Sequence, residues 1–133
     1  MAWGGLIFAT PIGATLESLP SDYVMPSLGS SSDVQAAIVS LFPDDEHSRG
    51  RSNIRTASCW VELNYESNGS VDSLGVRSNA GETALPILQS VCNHFSARLY
   101  DNQTGDFTDF GGNASSSMAD FRDFRDRNLP PSA

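Results

Sequence analysis

Ala57-Ser-Cys-Trp-Val-Glu-Leu-Asn-Tyr-Glu-Ser-Asn-Gly-Ser-Val-Asp-Ser-Leu-Gly-Val-Arg-Ser78 is the stretch whose reading decides the fold. In its first half Cys59, Val61, Leu63 and Tyr65 alternate with Trp60, Glu62 and Asn64. That period of two sends one set of side chains into a core and the other toward solvent. Ser67-Asn-Gly-Ser70 then supplies a turn, because Asn-Gly tolerates the positive φ that a tight hairpin requires. Val71 to Ser78 reads as the return strand, with Leu74 and Val76 inward and Asp72 outward. The carboxylates of Glu62, Glu66 and Asp72 mark the outer face as wet.

Downstream, Ala84, Leu85, Leu88, Val91, Cys92 and Phe95 recur at helical spacing and predict an amphipathic helix. Pro86 fits only its first turn, which makes Thr83 the N-cap. Ala97 to Asp101 reads as a third strand, and Asn102-Gln-Thr-Gly105 turns the chain toward Phe107-Thr-Asp-Phe110.

Upstream, Leu6-Ile-Phe-Ala-Thr10 is a short apolar run ending at Pro11, as expected of a buried strand. Residues 11–29 carry three prolines and two glycines without a sustained period and read as an extended connection. Ser30 caps a helix in which Val34, Ala37, Ile38 and Leu41 share one face, and Pro43 stops it. His47 to Thr56 is polar and is expected to be a loop whose Arg49, Arg51 and Arg55 pair with Asp44, Asp45 and Glu46.

The resulting order of strand, helix, strand, strand, helix, strand predicts an α+β fold. We expect an antiparallel sheet of four or five strands with two helices on one face, in the ferredoxin-like βαββαβ arrangement. Residues 1–110 form the expected single domain. Residues 111–133 follow as a Ser/Gly-rich linker and a charged aromatic segment in which Asp120-Phe-Arg-Asp-Phe-Arg125 repeats every three residues.

Charge narrows the function classes. All eight basic residues are Arg, set against sixteen carboxylates, for a net charge of -8. Such a chain repels phosphate backbones and lacks the basic patch that releases counterions, so nucleic acid is not the expected partner. A basic protein is, since complementary charge speeds encounter. No apolar run approaches the roughly 20 residues needed to span a bilayer, so no membrane association is expected. The N-terminus lacks the charged start of a signal peptide, and two cysteines are too few for a disulfide scaffold. Together these readings predict a cytoplasmic protein with reduced thiols.

Neither His47 nor His94 lies in a zinc-ligand spacing, and Asp101, Asp106 and Asp109 fall out of register with a calcium loop. No metal or cofactor is expected. Phosphate loops and nucleophile elbows are missing from the sequence, so the expectation is a binding protein and not an enzyme. The alternatives kept open are a small hydrolase or thiol enzyme built on His94, Cys59 or Cys92, and a self-associating domain whose aromatic tail makes a homodimer.

Val24-Met-Pro-Ser-Leu-Gly29, the helix ending Leu41-Phe-Pro43, Val61-Glu-Leu-Asn64, Val71-Asp-Ser-Leu74, and Leu99-Tyr-Asp101 with Thr104-Gly-Asp-Phe107 together resemble small bacterial proteins, some of immunity-protein type. That resemblance implies an inhibitor that neutralises a secreted toxin, and it carries over no catalytic residue. The contact residues expected for a basic toxin or effector are Asp44, Asp45, Glu46, Trp60, Glu62 and Glu66.

Overall fold

The computed structural model describes residues 3–10, 19, 22–57, 59–79, 83–102, 105–108 and 110. Within them the chain forms β1 (Trp3–Phe8), β2 (Gly29–Ser30), α1 (Ser31–Leu41), β3 (Glu46–Ser48), β4 (Arg51–Arg55), β5 (Trp60–Asn64), β6 (Ser70–Val71), β7 (Leu74–Ser78), α2 (Ala84–Phe95), β8 (Arg98–Asp101) and β9 (Asp106–Phe107). The expected linker and Asp-Phe-Arg segment after residue 110 lie outside the described residues.

Seven strands make one sheet in the order β3-β4-β5-β7-β1-β8-β9, and β2 pairs with β6 in a small second sheet. Every pairing is antiparallel. The fold is therefore α+β, and its sheet is wider than the four or five strands expected. Its middle, β8-β1-β7-β5, keeps the split β-α-β order, with β1 inserted between strands that follow it in the chain. The excess comes from two edges, the β3–β4 hairpin on one side and the two-residue β9 on the other.

Alternation fixes which face is core. Trp3, Ile7, Ile54, Val61, Leu63, Leu74, Val76 and Leu99 point inward, where Val34 and Ile38 of α1 meet Ala84, Ile87, Leu88, Val91 and Cys92 of α2. Both helices thus cover the same face, and each fully buried aliphatic contributes about 1.5–3 kcal/mol. Gly5 belongs to this face, and a methyl group there would stand 2.7 Å from the Tyr100 carbonyl oxygen and 2.9 Å from Leu99. Close approach of β8 and of the Trp3 ring to Gly5 requires a residue without a side chain there.

The first helix begins as its sequence dictates, and the second lacks the side-chain cap expected of it. Ser30 accepts the Asp33 amide at 3.1 Å, satisfying one of the unpaired donors of the first turn of α1. Thr83 precedes α2 but makes no side-chain cap; its hydroxyl bonds Thr56 at 2.6 Å instead. Ser96 ends α2 in the left-handed region, with a φ of 51°.

Three expectations change. The first strand starts at Trp3 and not at Leu6, because the glycine pair Gly4-Gly5 continues it. Residues 57–78 are not one tight hairpin: Asn64 pairs with Gly75, and the chain between them makes a detour that lays β6 against β2. Gly69 still turns with positive φ, 83°, at the tip of that detour. Finally, the polar segment after His47 is a β-hairpin rather than a loop, in which Ser52 and Ile54 alternate inward and Arg51 and Arg55 outward.

Candidate functional site

The face of the sheet opposite the helices carries Glu46, Trp60 and Glu62, half of the residues expected to bind a partner. Across its middle the register aligns Glu46, Asn53, Glu62, Arg77 and Gly4 on five successive strands. Trp60 stands beside this row, opposite Arg55. Asp44 and Asp45 sit in the turn that leads from α1 into β3, and Asp45 accepts the Arg55 amide at 3.0 Å. Glu62 accepts the Asn64 side-chain amide at 2.8 Å. Asp44, Asp45, Glu46, Trp60 and Glu62 therefore gather at the β3 side of the sheet. Glu66 does not join them. It lies past the far end of β5, about 13 Å along the strand from Glu62 at the usual rise per residue.

The outer face is of mixed charge, not acidic throughout. Arg51, Arg55, Arg77 and Arg98 share it with Glu46 and Glu62. The expected pairing of arginines with the acidic turn is not made. Arg49 donates from Nε to the Ser67 carbonyl at 2.9 Å and from its guanidinium to Asn68 Oδ1, while Arg51 Nε donates to Asn64 Oδ1 at 3.4 Å. These side chains fasten the β3–β4 hairpin to the connection after β5 and leave the carboxylates of Asp44 and Glu46 on the surface. At the other edge, Phe8 and Phe107 pack with ring centroids 5.7 Å apart, and Arg98 stacks 4.3 Å above Phe107.

Beyond the end of β5 there is a concavity of about 460 Å³ lined by Asn64, Tyr65, Glu66, Ser70, Asp72, Ser73 and Gly75. Nothing in the sequence signals it, because its walls come from two stretches, 64–66 and 70–75, that meet only through the β5–β7 pairing and the β6 detour.

The candidate catalytic groups are placed otherwise. Both cysteines are free and buried. Burial pushes the Cys92 thiol up to about 12, so it stays protonated at neutral pH and is a poor nucleophile. Cys59 rests 4.0 Å from the Ser78 hydroxyl, which itself donates to the Trp60 carbonyl. His94 is exposed and meets Phe95 edge-on. His47, expected in a mobile loop, instead occupies the inner side of β3. Its Nε2–H donates to the Phe42 carbonyl at 2.7 Å, and its Nδ1 accepts the Ser52 hydroxyl at 2.9 Å; the carbonyl can only accept, which fixes this tautomer of the neutral ring. Ser52 is fully buried, so this serine-histidine pair ties the end of α1 to the β3–β4 hairpin and has no room for a substrate.

Among the described residues, no group of three or more His, Cys, Asp or Glu is arranged to hold a metal ion. Nor is any helix among them long and apolar enough to cross a membrane. Comparison with protein-family models, with curated proteins and with solved structures finds no match.

Proposed function

We propose that this chain is a non-enzymatic protein-binding domain that captures a basic partner along the β3 side of its sheet, in the manner of an immunity-type inhibitor occluding a toxin or effector. The observation that carries this reading is the gathering of Asp44, Asp45, Glu46 and Glu62 around Trp60 on one exposed side. An aromatic ring half-buried among solvated carboxylates combines an apolar anchor with steering charge, a combination that recurs at protein interfaces. Arg55 beside the row and Arg77 within it would set the register of docking and reject uniformly basic surfaces. The two reduced, buried thiols and the net negative charge fit a cytoplasmic setting.

The test is binding to the product of the neighbouring gene. The two proteins should co-purify, and the triple charge reversal Asp44→Arg, Asp45→Arg, Glu46→Arg should slow association about tenfold or more at low salt, with Trp60→Ala speeding dissociation. Tight binding indifferent to these changes and to ionic strength would refute the electrostatic reading.

A further inference from the structure

We propose that the concavity lined by Asn64, Tyr65, Glu66, Ser70, Asp72, Ser73 and Gly75 is a socket for a single arginine side chain of the basic partner, with Gly75 kept bare to form its floor. Two independent observations lead there.

The first is Gly75 itself. It lies within β7, a central strand, where glycine weakens the sheet. Its φ lies outside the left-handed region that favours glycine. Nor does crowding exclude a side chain: a Cβ at this position would meet only the Asn64 carbonyl oxygen at 3.6 Å and Asn64 Cβ at 3.9 Å, ordinary contacts. Neither turn geometry nor packing explains the residue. What a side chain at 75 would do is fill the concavity that the glycine lines, and bare backbone in a strand marks a place where another group comes close.

The second is the chemistry of the walls. Glu66 and Asp72 bring two exposed carboxylates, and no cation is among the lining residues; the Asn64 side chain is already bonded to Arg51 and Glu62 and the Ser70 hydroxyl to Ser27 and Asp72, so the carboxylates are the groups left for a ligand. Two carboxylates without a cation between them call for a cationic ligand that donates. Guanidinium presents five donors in a planar fork and suits carboxylates on two sides. Two of the chain's own guanidinium groups are already held nearby, Arg49 on Ser67 and Asn68 of the connection after β5 and Arg51 on Asn64 of the wall itself. Neither arginine lines the space.

The socket rests on the basic-partner reading for its occupant, but not for its test. The isotopically labelled full chain is titrated with Nα-acetyl-arginine amide, with Nα-acetyl-norleucine amide as the uncharged control, and followed by amide chemical shifts. The arginine probe should saturate, with shifts confined to residues 64–66 and 70–75, and the control should not bind there. Gly75→Val should raise the probe's Kd at least tenfold by filling the floor. Glu66→Gln with Asp72→Asn should do the same while keeping the shape, so that a fold defect in either variant does not decide the outcome alone. Shifts that spread over all acidic residues without saturating, equal binding of the control, or an unchanged Kd in the variants would overturn the socket. If partner association slows on reversal of Asp44, Asp45 and Glu46 while the probe never saturates, the socket is wrong and the broader reading stands. A probe that saturates while partner association ignores those reversals leaves the socket and removes the broader reading.

Discussion

Gly5 in β1 and Gly75 in β7 sit one register position apart on neighbouring strands and belong to opposite faces of the sheet. Gly5 faces the helices, where the Tyr100 carbonyl, Leu99 and Trp3 leave no space for a methyl group. Gly75 faces the other way, where there is space and nothing uses it. The same residue type is thus imposed by packing on one side and unexplained by packing on the other. The inner face is determined by its need to exclude water and fill volume. On the outer face, away from the Phe8–Phe107 pair at its far edge, those constraints lapse, and what is placed there is open to selection for binding.

The comparison predicts a large asymmetry in the cost of truncation. Leu63→Ala, on the inner face of β5 and fully buried, should destabilise the fold by about 2–5 kcal/mol, since the closely packed helices cannot collapse into the space. Arg77→Ala, on the outer face of the adjoining strand and exposed, should stay within about 0.5 kcal/mol. Denaturant midpoints measure both. Similar costs would mean that the outer face is a second packed interface rather than a surface.

The same asymmetry governs what was legible in the sequence. Val61, Leu63, Leu74 and Val76 announced their strands because burial on one face writes a period of two, and Ala84, Leu88, Val91 and Cys92 announced α2 because burial along a helix writes a period near 3.6. The β3–β4 hairpin was misread as a loop for a physical reason. Its inward positions are His47, Ser52 and Ile54, and two polar side chains satisfy one another and the Phe42 carbonyl, so only Ile54 left a hydrophobic mark. Ile87 was missed from the α2 stripe because it flanks Pro86 and Leu88 at the broad edge of the apolar face. Of the expected contact residues, Trp60 and Glu62 followed directly from strand alternation, and Glu46 joined them only through a pairing that the sequence did not disclose. Glu66 was separated from them because strand length converts four residues of sequence into distance. The concavity was illegible altogether, since its walls are contiguous only after β6 has been drawn aside to β2.

Alkaline titration sharpens the contrast from the inner side. Cys92 is pushed from 9.0 up to about 12 by burial on the face of α2 that meets the sheet. Below pH 9 the thiol is protonated in folded and unfolded chains alike, and the stabilisation is fully present. Between pH 9 and 12 the unfolded chain releases the proton and the folded chain holds it, so stability falls as pH rises, with a slope approaching about 1.4 kcal/mol per unit. Subtracting the profile of Cys92→Ala isolates this contribution. A difference profile that is flat from pH 9 to 12 would place the thiol in contact with water and weaken the description of a dry core.

The smallest change is the most discriminating, because the two glycines predict opposite signs. Gly5→Ala must displace the backbone of β8 or the ring of Trp3, neither of which yields without loosening the core, and should cost about 1–3 kcal/mol. Gly75→Ala meets only ordinary contacts and reduces the freedom of the unfolded chain, so it should be neutral or stabilising by about 0.4–1 kcal/mol. Thermal and denaturant unfolding of the two variants measure the pair. If both destabilise, Gly75 is retained for packing and not as the floor of a socket. If Gly75→Ala stabilises, the natural chain carries a less stable strand than it could have, and the reason for that loss must lie in what the bare backbone admits.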